Sequence, residues 1–204
     1  MMGSDTNSDS KNIMHLIQEG TVGAEIGVWK GSSSRQFVKK NLKKLYLVDP
    51  WAVSGYDEAI EANDPTFSLD EMLNKGNYVR QTGGNTVEKF TKYYDDVAEK
   101  VINEFADKKE VEVCRMAATE WFNQFDEPFL DWIYVDGDHS YTGCYNDLCN
   151  ALKAVKKGGL ILGDDYKWHS DADKGGVKKA VNQFVKENNF KLNQHGKVQW
   201  SIHV

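Results

Sequence analysis

Two groups of acidic residues in this chain have types and spacing that could do chemistry. One is the run DGDH at residues 136–139, and the other is the adjacent pair Asp164 and Asp165, which begins 28 positions after Asp136 (164 minus 136). Each group follows a short apolar segment typical of a buried strand. Carboxylates gathered at one sheet edge repel one another unless a divalent cation or a proton relieves the charge, and oxygen ligands suit Mg²⁺, Mn²⁺ or Ca²⁺. The alternative is a set of solvated loop acids that cap turns.

Other reactive side chains are less informative. His139 could be a general base, a metal ligand or a loop histidine bonded to the backbone. Cys144 and Cys149 are five residues apart on a predicted helix, which places them poorly for a shared metal, so packing is the expected role. Trp51 and the pair at residues 168–169 follow predicted strands, where they could line a pocket or only pack.

The elements that must position these residues alternate between strand and helix. Several strands are apolar on both faces, which favours a parallel sheet covered by helices on each side. The last two strands follow each other directly and predict a terminal antiparallel hairpin turning at residues 195–196. We therefore predict an α/β, Rossmann-like, doubly wound and mostly parallel sheet. The predicted strands are 22–28, 42–50, 111–116, 130–136, 160–163 and two within 190–204; the predicted helices lie before residue 20 and near 32–40, 69–73, 86–105, 119–125, 145–155 and 177–185.

The loops after the first two strands could hold a nucleoside. Gly27 and Gly31 permit close backbone approach, and the helix that follows offers N–H groups to an anionic part of a ligand. The motif is weak, because Trp29 stands where a dinucleotide loop has its middle glycine. Asp49 lies 22 positions after Gly27 (49 minus 27) at the end of the second strand, where a carboxylate would meet ribose hydroxyls. Alternatively, Asp49 only caps a turn before Pro50.

Composition and length limit the classes of protein. The 204 residues suit one domain, predicted over 13–204 with an insertion or lid at about 51–85, after a disordered tail over 1–12. A net charge of -6 disfavours nucleic acid and anionic membranes as partners. Three cysteines without paired spacing fit a reducing compartment, and no segment has the apolar length of a signal peptide core or membrane span. We expect a cytoplasmic protein acting on a small molecule, and the sequence leaves self-association open.

Taken together, the segments EIGVWKGSSS, LYLVDPW, WIYVDGDHSYTGCYNDL and GGLILGDDY resemble the class I S-adenosylmethionine-dependent methyltransferases. Within that class, the chain is similar to the branch of macrocin-type sugar O-methyltransferases and cephalosporin-hydroxylase-like proteins. The resemblance covers roughly residues 22–204. It implies a seven-stranded sheet with a reversed terminal hairpin and an enzyme that methylates a substrate hydroxyl.

The resemblance also implies roles for individual residues. Asp136, Asp164 and Asp165 would bind Mg²⁺ or another divalent cation. Asp138 would take the hydroxyl proton, with His139 as its assistant. The residues that would bind S-adenosylmethionine are Glu25, Gly27, Gly31 and Ser33 at its methionine part, Asp49 at its ribose, and Ala117 and Ala118 at its adenine. Asp136 is also expected to contact the cofactor.

Three rival functions use the same residues differently. In a metal-independent N- or O-methyltransferase the acids would be structural only. A metal-dependent hydrolase would use the carboxylates on phosphate esters and would need no adenosyl cofactor. A non-catalytic module would bind the cofactor without transferring a methyl group.

Overall fold

Seven β-strands form one mixed sheet in the computed structural model, which describes residues 9–56, 62, 69–74, 76–167 and 175–204. The strands are β1 (Val22–Ile26), β2 (Lys44–Val48), β3 (Val111–Cys114), β4 (Leu130–Val135), β5 (Val155–Gly163), β6 (Leu192–His195) and β7 (Gln199–His203). Their order is β3-β2-β1-β4-β5-β7-β6. Strands β1 to β5 pair in parallel, whereas β7 pairs antiparallel with both β5 and β6. The predicted sheet and its terminal hairpin are confirmed.

Helices cover both faces of the sheet. They are α1 (Ser34–Phe37), α2 (Leu69–Asn74), α3 (Gly76–Thr82), α4 (Val87–Phe105), α5 (Ala118–Phe122), α6 (Tyr141–Ala154) and α7 (Gly176–Asn188). The prediction of a helix over 86–105 agrees well with α4. Thr86 caps this helix by accepting from the backbone N–H of Lys89, and the apolar residues at helical spacing are buried. Among the described residues, no helix is both long and apolar enough to cross a bilayer.

The central position of β4 in the sheet explains why its sequence is apolar from Trp132 to Val135. Trp132 and Tyr134 pack on the face covered by α4 and the N-terminal segment. Ile133 and Val135 pack on the opposite face, against α6 and α7. Successive strand residues point to opposite faces, so a central strand covered on both sides needs apolar residues at every position.

Two predictions about local structure need correction. Residues 9–12 are not part of a disordered tail: they form a 3-10 helix in which Ser10 is buried and the Asn12 N–H donates to Gln199. Residues 156–159 do not end a helix but belong to β5, because the Gly158 N–H donates to the carbonyl of Val204 at the C-terminus. The expected lid contains helices α2 and α3, and residues 57–61, 63–68 and 75 of it lie outside the described residues. Residues 1–8 and 168–169 lie outside them as well.

The parallel strands end at the same edge of the sheet. In the strand register, Ile26 lies beside Val48 and Val135, and Val135 lies beside Gly163. Chain order reverses between β1 and β4, the position at which doubly wound sheets open a crevice for a ligand. The residues that follow these strands, including Gly27, Asp49, Asp136 and Asp164, therefore start at one edge.

Candidate functional site

A cavity of about 1200 Å³ opens at the carboxyl edge of the sheet. Its walls come from the loops after the parallel strands and from helices α3 and α4. Ligand pockets usually enclose roughly 300–1000 Å³, so this space is larger than a typical pocket for one small molecule. The predicted site residues that line it are Glu25, Gly27, Ser33, Asp49, Ala117, Ala118, Asp136, Asp138, His139 and Asp165.

The loop after β1 passes very close to the end of β4. Gly27 has a φ of +85°, and a Cβ on it would lie 2.2 Å from the carbonyl oxygen of Asp136, so only glycine fits there. Gly31, a predicted cofactor-binding residue, is outside the cavity lining, and a Cβ on it would lie 3.4 Å from the ring of Phe105 in α4. Ser33 is buried and does line the cavity.

Glu25 is a buried acid on β1. It is 1% exposed, and its Oε2 accepts a hydrogen bond of 2.5 Å from the hydroxyl of Ser34. Burial raises the pKa of Glu25 well above its ordinary value; the Ser34 bond opposes the rise, and repulsion from Asp136 and Asp49 adds to it. A cationic ligand group beside Glu25 would favour its ionised form.

Asp49 connects two loops through backbone hydrogen bonds. Its Oδ2 accepts from the N–H groups of Val28 at 2.9 Å and Trp29 at 2.8 Å, and its Oδ1 accepts from that of Trp51 at 2.6 Å. The Trp51 indole donates to the Trp29 carbonyl at 2.8 Å, which fixes Trp29 in a left-handed conformation with φ of 45°. Burial raises the pKa of Asp49, and the three backbone bonds oppose that rise. The turn-capping role is thus present, and the ribose role stays a prediction.

The loop after β3 supplies a side wall. Ala117 precedes α5 and Ala118 begins it, and both line the cavity as expected. The next two residues, Thr119 and Glu120, also line it and were not predicted as site residues. Their position in the first turn of a helix that follows a parallel strand was the signal that could have found them.

Three side chains after β4 and β5 form a compact cluster. The Nε2 of His139 lies 3.4 Å from Oδ1 of Asp136 and 3.2 Å from Oδ2 of Asp165. One ligand atom from each residue can be chosen so that all three lie within 4.8 Å of one another. Since the three side chains are 22–32% exposed, the cluster is open to the cavity.

Asp164, which was predicted as a third acidic metal ligand, is not part of this cluster. It is 4% exposed, and its Oδ2 accepts from the hydroxyl of Tyr134 at 3.0 Å. Its Oδ1 accepts from the N–H of Asp165 at 2.8 Å, and its carbonyl accepts from the indole of Trp200 at 2.9 Å. The side chain therefore holds the strand end, while Asp165 reaches the cavity.

Asp138 lines the cavity but is also bonded to the start of α6. Its two carboxylate oxygens accept from the backbone N–H of Ser140 at 2.8 Å and from the Ser140 hydroxyl at 2.9 Å. A Cβ on Gly143 would lie 2.3 Å from the Asp138 carboxylate, so a glycine is required there. The predicted base is thus held in one orientation by the helix terminus.

The far wall of the cavity contains aromatic residues that carry no sequence motif. Tyr78 and Gln81 belong to α3, and Tyr93 of α4 donates to the Gln81 side chain at 3.1 Å. Burial raises the pKa of Tyr78, with Tyr93 and Asp165 adding to the effect, which places its hydroxyl in the field of the acidic cluster. The sequence pattern predicts no helix over residues 76–82, and only the fold brings these residues to the site.

Fold and site together define the class as the Rossmann-like methyltransferases of class I, with the seven-stranded sheet and reversed terminal hairpin of that class. The chain belongs to the methyltransferase domain family, whose model matches residues 24–166. That stretch includes most of β1, all of β2 to β5, the loops that follow them and the acidic cluster.

Comparison with individual proteins gives distant relatives. The uncharacterised protein R132 of Acanthamoeba polyphaga mimivirus is 26% identical over 163 residues, which are 79% of this chain and 58% of that protein. The chain thus spans little more than half the length of this relative.

Solved structures share the fold at low identity. An O-methyltransferase from Bacillus cereus in complex with S-adenosylhomocysteine is 16% identical, with a TM-score of 0.60 over 100% of this chain and 84% of that one. A protein described as an O-methyltransferase from Klebsiella pneumoniae is 15% identical, with a TM-score of 0.62 over 99% and 82%. The fold is therefore that of known O-methyltransferases.

Proposed function

We propose that this protein transfers the methyl group of S-adenosylmethionine to a hydroxyl of a small molecule, with a divalent cation at the acidic cluster. The observation that supports this most is the continuity of the cavity. A nucleoside-type half, with Glu25 and Asp49, is joined to an acidic half, with Asp136, His139 and Asp165, inside one space of about 1200 Å³. Methyl donor and acceptor could lie in contact there.

The donor would occupy the half beside β1 and β2. Ser33 and the buried carboxyl of Glu25 suit its methionine part, because a carboxylate can pair with an ammonium group. Asp49 suits a ribose: a carboxylate offers about four lone-pair directions, and three are used by backbone N–H groups. Ala117 and Ala118, which line the cavity, would contact the adenine.

The acidic half fits a divalent cation through the chemistry of its donor set. Two carboxylates and one imidazole converge within 4.8 Å and face the cavity. A bound cation would polarise the acceptor hydroxyl and lower its pKa. The residues that would hold it are Asp136, His139 and Asp165.

The chain itself must orient the acceptor and receive its proton. We assign proton acceptance to Asp138, whose carboxylate lines the cavity and is fixed by Ser140. The acceptor oxygen attacks the methyl carbon in line with the departing sulfur, and the proton passes to Asp138. Tyr78 and Tyr93 on the far wall would limit water and align the acceptor.

The partner we propose is a small molecule such as a sugar or hydroxylated natural product. The net charge of -6 supports this over nucleic acid or an anionic membrane. The walls of tyrosine and tryptophan also suit a ring-shaped acceptor. We place the reaction in the cytoplasm, in agreement with the cysteine pattern.

Calorimetry with S-adenosylhomocysteine tests the cofactor half. We expect binding by the parent protein and by Asp138→Asn, because Asp138 contacts the acceptor rather than the donor. Absence of binding by the parent would contradict the proposal.

Methyl transfer to a panel of sugars and phenols tests the catalytic half. We expect Asp138→Asn to lower the rate by about 100-fold or more, the usual contribution of a general base. Unchanged transfer by that variant would remove Asp138 from the mechanism, and transfer that survives chelation would remove the cation.

A further inference from the structure

We infer that His139 supplies a nitrogen ligand at the cation site and that the site therefore selects Fe²⁺, Co²⁺, Ni²⁺ or Zn²⁺ over Mg²⁺. The inference rests on the proposed function, since it concerns the cation of the same site. It also replaces the oxygen-only set Asp136, Asp164 and Asp165 by a mixed set with His139 in place of Asp164.

The geometry of the cluster matches one shared ion. For bonds of about 2.1 Å, two ligand atoms lie about 3.0 Å apart in an octahedral site and about 3.4 Å apart in a tetrahedral one. The Nε2 of His139 lies 3.2 Å from the Asp165 oxygen and 3.4 Å from the Asp136 oxygen. Both distances fall close to this range, and one ligand atom from each of the three residues lies within 4.8 Å of the others, so the side chains are placed to share one ion.

Asp164 is prevented from joining this set by the core of the protein. Its carboxylate accepts from Tyr134 and from the Asp165 N–H, and its carbonyl accepts from Trp200. Turning it toward the cavity would leave the buried Tyr134 hydroxyl without this acceptor, at a cost of about 1–3 kcal/mol. Asp164 instead holds Asp165, whose φ of 56° directs it to the cluster. His139 occupies the third position.

Ligand chemistry then sets the preference. Mg²⁺ favours oxygen ligands and near-ideal octahedral geometry, whereas imidazole suits Fe, Ni, Cu and Zn. A site with one imidazole and two carboxylates gains most from the later first-row divalent ions. The competing explanation is a protonated His139 that pairs with both carboxylates and leaves no role for a metal.

The test is calorimetric titration of Co²⁺, Zn²⁺ and Mg²⁺ into the parent, His139→Asn and His203→Asn. Asparagine offers an oxygen in place of the imidazole nitrogen, and His203 is an exposed residue of β7 outside the cavity, which controls for surface binding. We expect His139→Asn to lower Co²⁺ and Zn²⁺ affinity at least about tenfold while Mg²⁺ affinity changes less than about threefold. His203→Asn should match the parent.

The visible absorption of the Co²⁺ form gives a second readout, because loss of the nitrogen ligand shifts its bands. Equal loss of Co²⁺ and Mg²⁺ affinity in His139→Asn, unchanged Co²⁺ affinity and spectrum, or no ion binding by the parent would each overturn the inference. S-adenosylhomocysteine titrated into the same samples separates the two claims. Cofactor binding with a failed metal test leaves the methyltransferase proposal standing, and selective metal binding without cofactor binding does the reverse.

Discussion

Asp49 and Asp165 both follow parallel strands at the same sheet edge, yet their surroundings differ. Asp49 accepts from three backbone N–H groups, which fix its position and satisfy much of its charge. Asp165 lies in a cluster with a second carboxylate, Asp136, and with the His139 ring. Asp49 is thus held rigidly by uncharged backbone donors, as suits the nucleoside in our proposal, whereas the clustered side chains concentrate the negative charge that the proposed cation would need.

The largest expected effect comes from the charge of the acidic half. Asp165→Asn removes that charge but keeps a residue type that tolerates the left-handed backbone at this position. We expect methyl transfer to fall about 100-fold or more, because the acceptor loses its alignment, while affinity for S-adenosylhomocysteine stays within about threefold. Rate assays and calorimetry on the same preparation measure both.

Equal losses of rate and cofactor affinity in Asp165→Asn would contradict the division into two halves. Asp107→Asn, at a side chain that is 82% exposed, is the matched control and should alter neither quantity.

Asp49→Asn is expected to show the reverse result, a loss of affinity for the cofactor. The amide offers one acceptor oxygen where the carboxylate offers two, and hydrogen bonds to charged groups contribute about 1.5–3 kcal/mol. We expect cofactor affinity to fall about tenfold and Tm to fall by several degrees, at about 2–4 °C per kcal/mol for a chain of this size. Calorimetry and thermal melting test this, and an unchanged Tm would show that the backbone bonds of Asp49 contribute little.

The smallest effect, a dependence of stability on pH, concerns Glu25. Because burial raises its pKa well above the ordinary value, the folded protein holds this proton more tightly than the unfolded chain does. The free energy of unfolding therefore falls as the pH rises from the pKa of Glu25 in the unfolded chain, near 4.3, through its raised pKa in the folded protein. Glu25→Gln should remove that loss, so its Tm relative to the parent should increase with pH by a few degrees.

Thermal melts of the parent, Glu25→Gln and the exposed control Glu99→Gln at several pH values check this. A difference between Glu25→Gln and the parent that is constant with pH would show that Glu25 does not titrate as its burial requires.

Much of the fold could be predicted because its signals are local. The helix over residues 87–105 shows its cap and period directly, and the central strand 130–135 shows nearly continuous apolar character. The start of β5 was predicted incorrectly, because residues 156–159 are strand through pairing with Val204. That contact joins positions more than 40 residues apart, and no local pattern reports it.

The sequence by itself determined the sheet, the loop positions and the acidic character of the site, because periodicity and strand ends are written in neighbouring residues. Tertiary structure decided which acid faces the cavity. Asp164 and Asp165 are adjacent and identical in type, but Tyr134 and Trp200, from two other strands, bind Asp164 and leave Asp165 to meet His139. Such a choice depends on buried hydrogen bonds between distant strands, and those bonds exist only once the sheet has formed.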